Sequence, residues 1–285
     1  MPRSNVMGAV RQVYWIVQEA VIYLLRHEGL ELSGYMSFTA ILALFPFLIF
    51  VVAVAGFVGR AEGAENVIGA VFNFAPRQVA EVLAPVVRSV IDQRRGDLLT
   101  IGIIFALWSS SSGVEAVRVL LNRSYDVVET RSMWWLRLQS VLFVILGALI
   151  ILTISVAIVL GPLIEKVLGY LVGTSFVGRG LWALVRYGSA AVVFTTSLII
   201  LHTFLPNRNL RLREIWPGTL LTTLLWVAGA VAFSIYVQNL PSYGLTYGSL
   251  GGVILSLYFF YVSAVIFVFG AEINAALMRR HSDEY

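Results

Sequence analysis

Charge-free apolar runs of about 20 residues recur along this chain, and this feature constrains the fold most. A helix needs about 20 apolar residues to cross the hydrocarbon core of a bilayer. Only 13% of the residues are charged and 59% are hydrophobic, which excludes a soluble globular domain and a disordered chain. The sequence therefore predicts an all-α integral membrane protein with peripheral amphipathic helices. Its six predicted transmembrane helices are 33–58, 98–114, 138–164, 187–205, 215–240 and 243–271.

The second of these runs is the shortest, so a re-entrant segment with five full spans is the alternative at that point. We expect a single membrane domain over residues 1–285. Residues 1–32 form its N-terminal region, in which apolar residues recur at helical spacing from Val6 to Arg26. This pattern predicts an amphipathic helix that either lies on the membrane face or packs on the end of the bundle.

A long loop of mixed charge is predicted at 59–97. It contains two short amphipathic patterns that Pro76 and Pro85 interrupt, because proline breaks helix interiors. Such a loop could cap one mouth of the bundle from the extracytoplasmic side. A short tail at 272–285 follows the last predicted span.

The arginines predict the orientation of the chain in a bacterial inner membrane. With six spans both termini share one side, and that side carries more arginine than the other. The loop 206–214 has three arginines, whereas the loop 238–247 has none. Positively charged loops stay in the cytoplasm, so both termini are predicted to be cytoplasmic. No removable signal peptide is predicted at the start.

Polar residues at or inside the predicted spans are the candidates for transport or gating. Pro46 should kink the first span, either as a hinge or as a static packing feature. The serines at 109–112 either bond to helix carbonyls or line a polar path. Charged groups near span ends are costly unless they are paired or hydrated. The candidates are Pro46, Ser109, Ser112, Glu115, Arg118, Asn122, Arg186, Glu272 and Asn274.

The sequence leaves more than one role open for the Glu115–Arg118–Asn122 face and for Glu272. Glu115, Arg118 and Asn122 share one helical face, which could be a gate, a contact to lipid headgroups or a solvated turn. Glu272 could carry a proton, bind a cation or neutralise an arginine of a neighbouring helix.

Small residues form a stripe in the last span. Gly244, Gly248, Gly252 and Ser256 are spaced by four, so they lie along one side of a helix and let another backbone approach. This stripe predicts helix packing, either within the bundle or in a homodimer.

Motifs for catalysis and for cofactor binding are missing from the sequence. The chain has no cysteine, no phosphate-binding loop, no nucleophile elbow and no histidine cluster with metal-ligand spacing. We therefore expect no enzyme activity, no cofactor, no metal and no ATP-driven step. The net charge of +4 fits anionic lipids as partners and is too small and scattered to indicate nucleic acid.

Three ordered segments carry a resemblance to a known family. They are Ser37–Pro46, then Leu107–Gly113 with Asn122 and Arg123 beyond it, and finally Tyr247–Gly252 continuing to Gly270–Ala275. In order and spacing they resemble the YihY/BrkB family of bacterial inner-membrane proteins. The resemblance implies six helices, cytoplasmic termini, and a role in envelope integrity, serum resistance or export of lipids or solutes. It also implies that an old ribonuclease label of that family is a misassignment.

Three function hypotheses follow. The first is a transporter or exporter of an amphiphilic, lipid-like envelope molecule or solute, which is passive or ion-coupled and in which Glu272 is the candidate coupling group. The second is a structural or assembly protein of the envelope without a transported substrate. The third, a hydrolase within the membrane, needs a buried nucleophile and base or a metal set.

Overall fold

The computed structural model describes residues 3–58, 96–172, 179–239 and 243–283. Side-chain surroundings are described for residues 11–51, 54, 102–153, 188–239 and 251–280. Within these ranges the regular structure is entirely helical, which confirms the predicted all-α class. The helices are α1 (Arg3–Arg26), α2 (Gly29–Val58), α3 (Gly96–Ser124), α4 (Met133–Val172), α5 (Arg179–Phe204), α6 (Leu212–Gln238) and α7 (Tyr243–Asp283).

The apolar helices agree with the predicted series of spans, except that the described part of the fourth is shorter than the others. Among the described residues, five helical segments are long and apolar enough to cross a bilayer. A shorter apolar segment, Gly188–Phe204, belongs to α5, the helix of the predicted fourth span. The five segments are Gly29–Val51, Gly102–Ser124, Met133–Thr153, Leu212–Gln238 and Gly251–Arg280.

The second predicted span, 98–114, is too short. The helix α3 continues to Ser124, and its segment Gly102–Ser124 is long enough to cross. The apolar run ends earlier because the serines, Glu115 and Arg118 interrupt the hydropathy without interrupting the helix. These polar side chains are accommodated by bonds to the backbone and to α4, so the re-entrant alternative is not needed.

The last helix is also longer than its apolar run. The predicted span ends at Ala271, whereas α7 continues to Asp283. Ala271, Ile273 and Ala275 are buried, so the helix keeps an inward face beyond the first acidic residue. Glu272 and Asn274 therefore lie inside a packed helix instead of opening a tail.

The helix α7 is the centre of the bundle. It packs against α1, α2, α3 and α6, and α5 packs against α6. The helix α2 packs most closely with α3, and α4 lies against both. One apolar cluster joins α2, α3 and α4 around Val51, Ala106 and Ala148. A second cluster joins α1, α3, α5, α6 and α7 around Leu121 and Ala271.

The N-terminal amphipathic pattern forms α1, whose inner side packs on α7. Ala20 and Leu24 are buried on that side, whereas Val13 and Leu25 are each 60% exposed. This arrangement corresponds to the predicted packing on the bundle end, with an apolar side left facing outward. The predicted loop 59–97 lies outside the described residues, apart from its last two residues, which begin α3.

Candidate functional site

A buried carboxylate lies at one end of the bundle, where α1 meets α7. The side chain of Glu272 is 0% exposed, and its Oε1 lies 2.9 Å from Nδ1 of His27. His27 is buried at the end of α1, and its Nε2 lies 3.3 Å from a carboxylate oxygen of Asp126. The imidazole thus links an internal carboxylate to an exposed one.

The tight turn between α1 and α2 positions this imidazole. Glu28 adopts a positive φ of 56°, which reverses the chain within two residues. A Cβ at Gly29 would lie 2.8 Å from the carbonyl oxygen of Leu24, so only glycine allows α2 to begin this close to α1. His27 is thereby held directly over α7.

Ion pairs fasten α1 to the end of α7. Nε of Arg279 lies 2.9 Å from Glu19, and Nε of Arg280 lies 3.5 Å from the same carboxylate. The guanidinium of Arg279 also stacks on the ring of Tyr23, 3.7 Å from its centroid. The Nη2 atom of Arg279 lies 4.0 Å from Oε2 of Glu272. We call Glu19, Tyr23, His27, Asp126, Glu272, Arg279 and Arg280 the α1–α7 charge cluster.

Asn274 joins α7 to the first turns of α6. Its Nδ2 donates to the carbonyl of Ile215 at 2.9 Å, and its Oδ1 accepts from the N–H of Gly218 at 2.7 Å. Pro217 lies between these two residues and lacks an N–H, so α6 is one backbone donor short in this turn. The buried amide thus supplies both a donor and an acceptor to the turn beside the proline.

A buried Tyr–His pair continues from this amide. Nδ2 of Asn274 lies 3.5 Å from the hydroxyl oxygen of Tyr125, which lies 2.6 Å from Nδ1 of His202. If the amide donates to the tyrosine, the hydroxyl proton is directed to the imidazole, and His202 carries its own proton on Nε2. Burial raises the pKa of Tyr125, so this hydroxyl stays protonated. This pair ties the end of α3 to α5.

Glu115, Arg118 and Asn122 share the predicted face of α3 but bond to different partners. Glu115 pairs with Arg137 of α4 at 2.7 Å, and that guanidinium lies 3.9 Å from the ring centroid of Trp108. Arg118 instead bonds to Ser140 Oγ at 2.6 Å, also on α4. The i, i+3 spacing brings two side chains near each other, but the neighbouring helix offers better partners.

Asn122 belongs to a separate network of loops. Its Nδ2 donates to Glu129 at 2.9 Å, and its Oδ1 accepts from the backbone N–H of Asn207 at 2.9 Å. Arg131 binds the same Glu129 at 2.7 Å and the carbonyl of Leu205 at 2.6 Å. The Arg131 hydrogen bonds, together with the Asn122 bond, lower the pKa of Glu129 to about 2. The α3–α4 and α5–α6 loops are therefore bound together at this end.

The remaining candidates whose side chains are described lie in α2 and α3. Ser110, Ser111 and Ser112 each bond to a carbonyl three or four residues earlier in α3. Ser109 is half-buried on the same helix. Pro46 is half-buried inside α2, beside residues of the first apolar cluster.

The candidates near the opposite end are described less fully. Ser256 bonds back to the carbonyl of Gly252 at 2.7 Å within α7. Gly244, Gly248 and Arg186 are helical, and their side-chain surroundings lie outside the described residues. A dimer through this stripe stays a prediction. Packing of another helix along the stripe likewise stays a prediction. A close backbone approach is present where Gly218 of α6 meets Gly270 of α7.

Comparison with known proteins identifies the family. The family model described as "Virulence factor BrkB" matches residues 22–285. The chain belongs to the BrkB family. This confirms the resemblance inferred from its three sequence segments.

Curated relatives of this BrkB family member span nearly the whole chain. A Bacillus subtilis protein described as "ribonuclease-like protein YfkH" is 34% identical and covers 89% of this chain and 92% of its own length. A "UPF0761 membrane protein" of Alteromonas mediterranea is 26% identical, with 96% of this chain and 90% of the relative covered. A Coxiella burnetii protein with the same description is also 26% identical, with 84% of each chain covered. No solved structure matches this chain.

Several residues of the site are not marked by any pattern in the sequence of this BrkB family member. His27 lies outside the apolar runs and is 245 positions away from Glu272. Tyr125 and Glu19 are likewise ordinary residues of polar segments. One local signal was available, since Glu19, Tyr23 and His27 share a helical face at i, i+4 spacing. Among the described residues no group of three or more His, Asp or Glu is arranged to hold a metal ion.

Proposed function

We propose that this BrkB family protein moves an amphiphilic, lipid-like molecule of the bacterial envelope, with Glu272 carrying a proton that couples the movement to an ion gradient. The observation that supports this proposal is the Glu272–His27 pair. It places a fully buried carboxylate inside a spanning segment, 2.9 Å from an imidazole.

A buried carboxylate of this kind has two low-cost states. A charge within a membrane segment is costly unless it is paired, so Glu272 is either protonated or held by His27 and Arg279. Histidine is the side chain that ordinarily exchanges protons near neutral pH. The carboxylate and the imidazole of this pair share one hydrogen bond, which is the arrangement that the proposed proton coupling uses.

Two observations support the proposed substrate class, namely the family resemblance and the apolar surface of the bundle. The family resemblance implies an envelope role. Large apolar side chains of α4 and α6 are exposed on the bundle surface, among them Leu142, Leu149 and Leu224, and such a surface suits contact with an amphiphilic molecule. With no phosphate-binding loop in the sequence, an ion gradient is the proposed energy source.

Reconstituted liposomes test this proposal. Liposomes loaded with the pH dye pyranine report proton entry, and a fluorescent nitrobenzoxadiazole-labelled phospholipid with dithionite quenching reports lipid movement. We expect an imposed proton gradient to accelerate the exchange of the labelled lipid in the parent. Glu272→Gln should abolish this gradient-dependent part while it preserves the side-chain volume.

Glu115→Gln is the matched control, because Glu115 is a spanning-segment carboxylate that is already paired with an arginine. It should keep the gradient-dependent exchange. Full gradient-dependent exchange in Glu272→Gln would remove Glu272 from the coupling. Absence of proton entry and of lipid exchange in the parent would overturn the proposal itself.

One observation favours a second candidate, a structural protein of the envelope. Asn274, Arg118 and Asn122 all bond between helices or loops, so these polar side chains hold the bundle together. A protein with that role would show no proton entry in the liposome experiment. A strain that lacks it would lose envelope integrity, and Glu272→Gln would restore that integrity fully.

The proposed function contains no catalytic step. The "ribonuclease-like" description belongs to the Bacillus subtilis relative, and the family descriptions of the other relatives name a membrane protein. Purified protein incubated with labelled RNA should leave the RNA intact. Cleavage that follows the protein through a second purification column would contradict this part of the proposal.

A further inference from the structure

The helix α1 packs on α7, and its C-terminal end lies over Glu272. His27 covers the Oε1 atom of Glu272, and Ala20 and Leu24 of the same helix face are buried. The inner face of α1 is thus a cover whose removal would expose the carboxylate.

Ion pairs beyond Glu272 fasten the cover to the end of α7. Among the described side chains of the N-terminal segment, Glu19, Tyr23 and His27 contact charged residues of α7 and the α3–α4 turn, and all three belong to the α1–α7 charge cluster. Glu19 is its central anion, since Arg279 and Arg280 both bind it while Arg279 also stacks on Tyr23. The outer face of α1, with Val13, Val17 and Leu25, is exposed.

The turn between α1 and α2 provides a place for movement. His27 and Glu28 are the two residues between α1 and α2, whose spanning segment begins at Gly29. A change of backbone angles at such a short junction can swing a whole helix, because hinges are commonly a few residues at the ends of elements.

We propose that α1 is a gate for Glu272, held shut by the pairing of Glu19 with Arg279 and Arg280. The role of this gate in transport rests on the proposed function. Its opening does not, because access to Glu272 can be measured in the absence of transport. Opening the gate gives water and protons a path to Glu272 from the end of the bundle where His27 lies. Glu19, Tyr23 and His27 face the site from α1, Asp126 faces it from the α3–α4 turn, and Arg279 and Arg280 face it from α7.

Cysteine labelling tests the gate directly, because the chain has no cysteine of its own. Ser124 is buried at the end of α3 and interacts with Glu272, so Ser124→Cys reports access to the carboxylate. The full chain with this substitution is reconstituted in liposomes and treated with the charged thiol reagent methanethiosulfonate ethylsulfonate.

We expect Glu19→Gln to accelerate labelling of this cysteine by about fivefold, because it removes both ion pairs of the fastening. Glu129→Gln is the control, since Glu129 is paired with Arg131 outside the cluster, and it should leave the labelling rate unchanged. A labelling rate in Glu19→Gln equal to that of the parent would overturn the gate.

A second variant keeps the test decisive if Glu19→Gln folds poorly. Glu19→Cys and Arg279→Cys are joined by a short bis-methanethiosulfonate linker in a chain that is otherwise free of cysteine. The joined protein should block pyranine-reported proton entry, and cleavage of the linker by a reductant should restore it. Undiminished entry in the joined protein would overturn the gate while leaving the transport proposal intact, whereas absence of entry in the unjoined parent would overturn the transport proposal alone.

Discussion

Asn274 is the residue on which the junction of α6 and α7 most depends. Its buried amide satisfies the carbonyl of Ile215 and the N–H of Gly218 beside Pro217. Truncation would remove both hydrogen bonds from this buried junction, which costs about 1–3 kcal/mol.

We therefore predict that Asn274→Ala lowers the free energy of unfolding by about 1–3 kcal/mol. Thermal unfolding in detergent, followed by circular dichroism, measures the change. Asn209→Ala is the control, because Asn209 is exposed in the α5–α6 loop. Equal melting temperatures for Asn274→Ala and Asn209→Ala would contradict the role of the amide.

Glu129 makes stability depend on pH. Its pKa falls from the ordinary 4.5 to about 2 because Arg131 and Asn122 bind the charged form. A carboxyl group whose pKa is lower in the folded state stabilises the fold above its unfolded pKa, and this stabilisation is lost as the pH falls through the folded value.

We predict that the parent melts at a higher temperature than Glu129→Gln at pH 6, and that the difference shrinks as the pH falls from 4.5 to about 2. Melting curves of both proteins in one detergent at a series of pH values check this. The comparison cancels the contributions of the other carboxylates. A difference that stays constant over this range would show that the Glu129 network does not stabilise the fold through charge.

At the scale of the helices, α6 and α7 meet most closely where two glycines face each other. A Cβ at Gly270 would overlap Thr222 and lie 2.8 Å from the backbone oxygen of Gly218. Backbone atoms cannot move aside as a flexible side chain can, so the two helices would have to separate.

Gly270→Ala is expected to destabilise the protein by about 1–3 kcal/mol, the usual cost of overpacking. Gly188→Ala is the matched substitution, because Gly188 is also helical and a Cβ there would meet nothing within 4 Å. It should be neutral or raise stability by about 0.5–1 kcal/mol through the helix preference of alanine. The opposite order of melting temperatures would refute the close contact.

The helices themselves were predictable, whereas their ends and partners were not. Hydropathy located the spans because apolar length is a local property of the chain. It ended the second span at Val114 and the last at Ala271, since it cannot show that Arg118 bonds to α4 or that Asn274 bonds to α6. The pairing of His27 with Glu272 depends on how two distant segments pack, which one sequence does not encode in any local spacing.

At the scale of the whole molecule, one end of the bundle gathers the polar loops. The α1–α2 turn, the α3–α4 loop and the α5–α6 loop are bonded to one another or to α7 there. Exposed arginines of the same region include Arg26, Arg123, Arg208 and Arg211. Arginine-rich loops remain on the cytoplasmic side of bacterial membranes.

We accordingly predict that this end, and both termini, face the cytoplasm of a bacterial inner membrane. Fusions of green fluorescent protein and alkaline phosphatase at each terminus provide the measurement, since the first fluoresces in the cytoplasm and the second is active in the periplasm. Phosphatase activity at either terminus would reverse the orientation. The side from which the proposed gate opens would then be reversed as well.

The spacing between α6 and α7 changes along their length. Backbone meets backbone at Gly218 and Gly270, whereas Trp226, Phe233 and Phe259 stand between the same helices farther from the polar loops and line a small cleft there. Because the distance between helix axes follows the size of the side chains between them, the pair is wedge-shaped. The helices approach most closely at the glycine contact, so a relative tilt about this contact would widen or narrow the aromatic cleft and would leave the nearby Asn274 bonds in place.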